Sequence, residues 1–149
     1  MSNILIKEME EEDIDQVCKI EEISFSTPWT KEALTMEVTK NNLAKYLVAK
    51  KEDKVVGYAG VWIIIDEGHI TNIAVSPDYR GQGIGSLLVE KLVKLCEEKG
   101  ISNMTLEVRE SNTTAQSLYK KFGFEEYGIR PNYYSDNNEN ALIMWRKDK

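Results

Sequence analysis

The 149-residue chain is expected to fold as an α+β structure, a mixed, mostly antiparallel seven-stranded sheet flanked by about four helices, and three features carry that expectation. Between residues 45 and 75, three runs rich in Val, Ile and Tyr are separated only by the polar turns Glu52-Asp53-Lys54 and Asp66-Glu67-Gly68, which is the pattern of an antiparallel meander. Residues 84–99 then place Ile84, Leu87, Leu88, Leu92, Leu95 and Cys96 on one face at helical spacing. Beyond that helix a strand, a helix and two closing strands follow in short order.

In chain order, Ile4, Ile6 and Glu8 alternate as a first strand, and Ile14, Val17, Cys18 and Glu21 mark a helix that ends near Phe25. Pro28 biases Thr27 away from helical backbone, and Thr30 is placed to cap a short helix through Thr39. Strands follow at Tyr46–Lys50, Val55–Ile65 and His69–Val75. The long helix stops at Gly100, a residue suited to the left-handed turn that closes helices. A strand Met104–Val108 leads to a helix with Ala115, Leu118, Tyr119 and Phe122 on one stripe, closed by Gly123. The last strands, Phe124–Arg130 and Ala141–Trp145, are expected to be joined by a polar loop, Pro131–Asn140. No repeat or linker interrupts the chain, so residues 1–149 read as one domain.

Composition narrows the function. A formal charge of −6, with acidic clusters at Glu8–Asp15 and Glu21-Glu22, argues against a nucleic-acid backbone as partner and permits a cationic one. No stretch approaches the ~20 apolar residues that span a bilayer, so no membrane association is expected. The two cysteines, Cys18 and Cys96, lie far apart on apolar helix stripes, which suits reduced core residues in the cytoplasm. His69 is the sole histidine, with no second histidine or paired cysteine beside it; neither a metal nor a catalytic task is assigned to it.

The segment from Asn72 to Ser86 reads as a strand, a glycine-rich turn and a helix start. Gly81, Gly83 and Gly85 let backbone N–H groups converge on one concave spot, and the first helical turn adds unpaired donors and the positive end of its dipole. An anion such as a pyrophosphate fits there. The spacing is neither that of a P-loop, which needs Gly-Lys-Ser/Thr, nor G-x-G-x-x-G.

Arg80-Gly81-Gln82-Gly83-Ile84-Gly85 resembles the Arg/Gln-x-x-Gly-x-Gly/Ala signature of the GNAT acetyltransferases. The resemblance continues through Leu106-Glu107-Val108-Arg109, Ser111-Asn112, Ala115, Leu118-Tyr119, Gly123-Phe124 and Arg130–Tyr134, nearly the whole chain. Within the family the chain is similar to the RimI type, whose acceptor is the N-terminal alanine of the eighteenth small-subunit ribosomal protein. The resemblance implies acetyl-coenzyme A as co-substrate. It also implies that Ile73, Ala74 and Val75 lie along the pantetheine arm, that Arg80, Gly81, Gln82, Gly83, Ile84, Gly85 and Ser86 hold the pyrophosphate, and that Asn112 and Tyr119 contact the cofactor.

Two residues carry the expected chemistry. Glu107 stands between Leu106 and Val108, where desolvation is expected to raise its pKa and make it a better proton acceptor; an edge-strand glutamate facing water is the plainer alternative. The resemblance makes it the general base. Tyr119, aimed inward by its helix stripe, is either a core aromatic or, as the resemblance implies, the general acid that protonates the leaving sulfur. Val75 N–H is the expected oxyanion donor.

For the acceptor, Phe25, Pro28 and Trp29 resemble one wall of a peptide entrance in N-terminal acetyltransferases, and Tyr133 and Tyr134 the facing wall, although Phe25 and Trp29 also suit a role pinning the first helix to the sheet. Asp66 and Glu67 suit a basic residue downstream of the acceptor amine or a solvated turn. The expected partner is therefore the basic N-terminal peptide of a ribosomal protein, bound by a monomer or weak dimer. A small amine or a lysine as acceptor, and a binding module without turnover, are the alternatives.

Overall fold

The computed structural model describes residues 4–25 and 28–147; Ser26 and Thr27, in the connection before Pro28, lie outside the described residues. Along the chain come β1 (Ile4–Glu8), α1 (Ile14–Ser24), α2 (Lys31–Lys40), β2 (Ala44–Lys51), β3 (Lys54–Ile64), β4 (Glu67–Val75), α3 (Ile84–Glu98), β5 (Asn103–Arg109), α4 (Thr113–Lys121), β6 (Glu125–Tyr134) and β7 (Glu139–Arg146). The strands form one seven-stranded sheet in the order β1-β2-β3-β4-β5-β7-β6. Every neighbouring pair is antiparallel except β4 with β5. The expected architecture is what the chain adopts.

Each face of the sheet is covered by helices whose sequence explains their place. On α3, Ile84, Leu88, Val89, Leu92, Val93 and Cys96 repeat at helical spacing and are all buried, against Val56, Ala59 and Val61 of β3 and Met104 and Leu106 of β5. On the other face, Ile14, Val17 and Ile20 of α1 and Leu34 of α2 cover Tyr46, Val48, Val55 and Tyr58. Thr30 caps α2 as its sequence predicts, its Oγ1 accepting from Ala33 N at 3.1 Å. Cys96 is fully buried and Cys18 partly so, and neither is in a disulfide.

Two expectations about strand ends are corrected. β4 begins at Glu67, so the turn after β3 is only Ile65-Asp66. The polar loop expected over residues 131–140 is mostly strand: β6 reaches Tyr134 and β7 starts at Glu139. The register shifts between Arg130 and Tyr134, Asn132 adopts φ +54°, and its N–H is satisfied by the Asn140 side chain at 3.0 Å. Pro131 is tolerated because β6 is the sheet edge, where a missing N–H removes no essential ladder bond.

One buried polar knot ties the α1–α2 layer to the sheet. Glu21 sits on the apolar stripe of α1 and is 1% exposed. Its Oε1 accepts from the Tyr58 hydroxyl and from Asn72 Nδ2 (3.0 Å), and its Oε2 accepts from Trp29 N (2.9 Å). A buried carboxylate is tolerable only when its lone pairs are matched by donors in this way. Burial and then the charge and hydrogen bond of Glu21 push the Tyr58 phenol well above its ordinary pKa, so it remains a donor.

Tyr58→Phe keeps the ring and deletes one donor to Glu21, and it is expected to lower unfolding free energy by about 1–3 kcal/mol, read as a lower urea midpoint with an unchanged slope. A midpoint equal to wild type would mean that Glu21 does not depend on the phenol.

Candidate active site

The site forms where the sheet opens. β4 and β5 pair over only three positions, ending at His69↔Thr105, while β4 runs on to Val75 and β5 runs on, paired to β7, as far as Arg109. Between Gly60↔Asn72 and Val61↔Ile70 the register slips, leaving Thr71 as an extra residue on β4. Such a bulge bends and over-twists its strand, and here it falls two residues after the last β4–β5 pair.

The direction of the free backbone groups follows from the ladder. Ser76 N donates to Val56 O at 2.8 Å, so Ser76 and Val56 form a hydrogen-bonded antiparallel pair. Alternation then makes Ala74↔Tyr58 a hydrogen-bonded pair and leaves Val75↔Gly57 and Ile73↔Ala59 as non-hydrogen-bonded pairs. The N–H and C=O of Ile73 and Val75 therefore point away from β3, toward the gap with β5, while the polar groups of Ala74 face β3. Arg80 Nε reaches the Val75 carbonyl at 3.3 Å, consistent with that direction.

The glycine turn lies at the end of β4. Gly81 and Gly83 have φ of +81° and +78°, the left-handed region that favours glycine, and nothing stands within 4 Å of where either Cβ would be. Gly83 is the residue before α3, so the N–H groups of Ile84, Gly85 and Ser86 open the helix beside it. Gly85 serves a different purpose from the turn glycines: it is helical, and a Cβ there would come within 3.3 Å of Leu118 Cδ2 on α4. Gln82 is exposed in the turn. Lys121 Nζ, at the end of α4, lies 3.4 Å from Ser86 Oγ and adds positive charge to the same helix start.

Glu107 projects from β5 two residues past the last β4–β5 pair, with its side chain 10% exposed. Its Oε1 lies 3.0 Å from His69 Nε2. The expected upward pKa shift is corrected: the His69 hydrogen bond outweighs burial, and with the charges of His69 and Arg130 it holds Glu107 below the ordinary carboxylate value of 4.5. His69, given no task from the sequence, is thus the direct partner of the expected base. Only the fold could reveal this, since the two residues are 38 positions apart.

Tyr119 is buried on α4, its ring edge-on to Phe124 at 5.9 Å. Burial, followed by the influence of Tyr134, raises its pKa, so the phenol stays protonated at neutral pH. Tyr134 acts electrostatically on Tyr119, and Glu107 acts on Tyr134, whose pKa is pushed up to about 12 chiefly by burial. Its ring stacks under the Arg109 guanidinium at 4.0 Å, and Arg109 binds Asp136 (2.9 Å) and Glu139 (3.2 Å), fixing the hairpin that carries Tyr134. Tyr133 meets Tyr134 edge-on at 5.0 Å and is exposed.

On the other flank, Trp29 and Pro28 are half-buried and Trp29 packs on the α1–α2 core, while Phe25 is exposed. Through Glu21, the Trp29 backbone is tied to Asn72, the residue before Ile73. Asn112 is exposed and caps α4, its Oδ1 accepting from Ala115 N at 3.1 Å. Asp66 and Glu67 are exposed at the hairpin preceding His69. Among the described residues, no group of three or more His, Cys, Asp and Glu is placed to hold a metal ion, and no helix is long and apolar enough to cross a membrane.

Comparison with known proteins agrees with this geometry. The acetyltransferase (GNAT) family profile matches residues 14–124. A Bacillus subtilis protein named putative ribosomal protein bS18-alanine N-acetyltransferase is 51% identical over 140 residues, covering 94% of this chain and 93% of its own. The Escherichia coli ribosomal protein bS18-alanine N-acetyltransferase is 36% identical, covering 93% and 94% of the two chains. Among solved structures, the Escherichia coli ribosomal-protein-S18-alanine N-acetyltransferase superposes with a TM-score of 0.88 at 33% identity, covering 97% of this chain and 93% of its own. Ard1 from Thermoplasma volcanium superposes at 0.87 with 32% identity and 98% of both chains covered. With a split sheet, a glycine turn ahead of its longest helix and relatives matched almost end to end, the chain belongs to the GNAT family of acetyltransferases.

Proposed function

We propose that this acetyltransferase moves the acetyl group of acetyl-coenzyme A onto the N-terminal alanine of ribosomal protein bS18. The acceptor is inferred from relatives that bear that name at 51% and 36% identity over more than nine-tenths of both chains. The single observation that carries the chemistry is an ionised, shielded carboxylate, Glu107, set where β4 turns unpaired backbone groups toward the opening.

The residues present suit the donor. Ile73 offers its N–H and C=O, and Val75 its N–H, to an amide-bearing arm, as an edge strand does to an added strand. The turn from Gly81 to Gly83 and the first N–H groups of α3 suit a diphosphate, with Arg80 and Lys121 supplying charge. Asn112 and Ser86 are assigned to cofactor contact on the same reading. Phe25, Pro28 and Trp29 on one side, and Tyr133 and Tyr134 on the other, are assigned to the acceptor peptide.

An α-amino group has a pKa of ~8, so about a tenth of it is neutral at pH 7 and able to attack the thioester carbonyl. The nitrogen becomes strongly acidic once its lone pair is in the new C–N bond, so even a carboxylate held below its ordinary pKa can accept that proton; Glu107 takes it. Val75 N–H, aimed at the gap, donates to the developing oxyanion. As the C–S bond breaks, Tyr119, protonated throughout neutral pH, gives its proton to sulfur.

Glu107→Gln is expected to lower kcat by about 10²–10⁴-fold, and Tyr119→Phe by about 10²-fold, with thermal stability and coenzyme A affinity held near wild type. A Tyr119→Phe enzyme with normal kcat would remove the phenol from the reaction. Mass spectrometry of a peptide carrying the bS18 N-terminus should show one acetyl group on the terminal alanine. A peptide with a blocked α-amino group should gain none, and equal acetylation of both would point instead to a lysine or small-amine acceptor.

A further inference from the structure

His69 has no part in the chemistry proposed above, yet among the described residues it makes the one direct hydrogen bond to the Glu107 carboxylate. We propose that His69 is a positioning residue for acetyl transfer, its Nε2–H holding Glu107 Oε1 so that Oε2 presents the lone pair that takes the acceptor's proton. This inference rests on the reading of Glu107 as the base.

Geometry fixes the details. His69 is the last β4 residue paired to β5, so its backbone is anchored from both sides, by Trp62 on β3 and Thr105 on β5. Glu107 lies two residues beyond Thr105 on the same face of β5, where pairing to β4 has ended. A carboxylate oxygen 3.0 Å from a ring nitrogen demands a proton between them, because two lone pairs facing each other at that distance repel. With Glu107 ionised, Nε2 therefore carries the proton. One carboxylate oxygen is thereby immobilised, and rotation about the last side-chain bond, which would otherwise swing both oxygens past the substrate, is removed.

The pair also differs in exposure: the His69 side chain is 34% exposed and that of Glu107 10%. His69 is thus the more exposed member of the pair. The other ionisable groups that bear on the pair are Arg130 of β6, whose charge acts on Glu107, Tyr134 of β6, on which Glu107 acts, Glu67 two residues before His69 on β4, and Glu37 of α2, which accepts from the indole of Trp62, the β3 partner of His69, at 2.6 Å. All of these remain when His69 alone is replaced. The consequence for pH follows from the sign of the effect. A donor to the ionised form keeps Glu107 deprotonated to lower pH, so its loss should move the acidic limb of kcat to higher pH.

The test compares the full-length wild-type enzyme with His69→Gln, whose amide can still donate, and with His69→Phe and His69→Asn, which respectively lack the donor and are too short to deliver it. Steady-state kcat is measured across pH at saturating acetyl-coenzyme A and acceptor peptide, with coenzyme A affinity as a check on the donor site. His69→Phe and His69→Asn should each lose about tenfold in kcat and shift the acidic limb upward, whereas His69→Gln recovers most of the rate and the wild-type limb. Wild-type kcat and pH profile in His69→Asn would overturn the inference. So would an equal loss in all three variants with no movement of the limb, since that is what a purely structural role would give. Glu107→Gln distinguishes the two levels: if it stays fully active, the base assignment falls, whereas an inactive Glu107→Gln beside a wild-type His69→Asn removes only His69.

Discussion

The structure depends on a ladder that stops. Three paired positions hold β4 to β5, and beyond His69↔Thr105 the two strands part, each remaining bonded on its outer side to a partner within the sheet. An internal strand with unpaired groups on one side would ordinarily be an unfavourable arrangement, since exposed N–H and C=O groups invite a partner. Here the bulge at Thr71 enforces the divergence, and the open side of β4 leads straight to the glycine turn and α3. The open side of β4 and the glycine turn thus lie along one continuous strand–turn–helix path, and the Glu107 carboxylate projects from β5 just beyond the point where β4 and β5 part.

Two carboxylates beside β4, Glu21 fully buried and Glu107 partly so, are satisfied by different means. Glu21 is fully enclosed and meets three donors, joining α1, the backbone of Trp29 and the β4 residue just before the free edge. Such a knot holds the segment around Trp29 against β4. Glu107 instead has, among the described residues, one hydrogen-bond partner, His69, at Oε1. Full satisfaction suits a structural acid, and partial satisfaction suits a reactive one. Arg109 completes the frame by pinning the hairpin turn through Asp136 and Glu139 and stacking on Tyr134.

Much of this is legible in the sequence wherever local rules govern. The period of α3, the Thr30 cap, the meander of β2 to β4 and the glycine turn each follow from side chains within a few positions of one another. The site is legible only to the extent that it is local. Glu107 stands out as a charge between apolar neighbours, but the sign of its pKa shift depends on His69, and no pattern within β5 announces a donor from β4. Glu21 offered a signal, a charged residue on the buried stripe of α1, whose meaning lay in Tyr58 and Asn72 far along the chain. The hairpin of β6 and β7 was masked by Pro131 and a run of polar residues, because an edge strand tolerates both.

If the proposed donor site is right, Ile73 and Val75 keep their N–H groups toward the gap until the pantetheine arm pairs with them. Amide hydrogen exchange, read residue by residue by NMR with and without saturating coenzyme A, tests it most directly. Ile73 and Val75 should exchange quickly alone and slow markedly when coenzyme A is bound, while Ala74, already bonded to β3, changes little. Strong protection of Val75 without ligand, or no change at Ile73 and Val75 on binding, would contradict it.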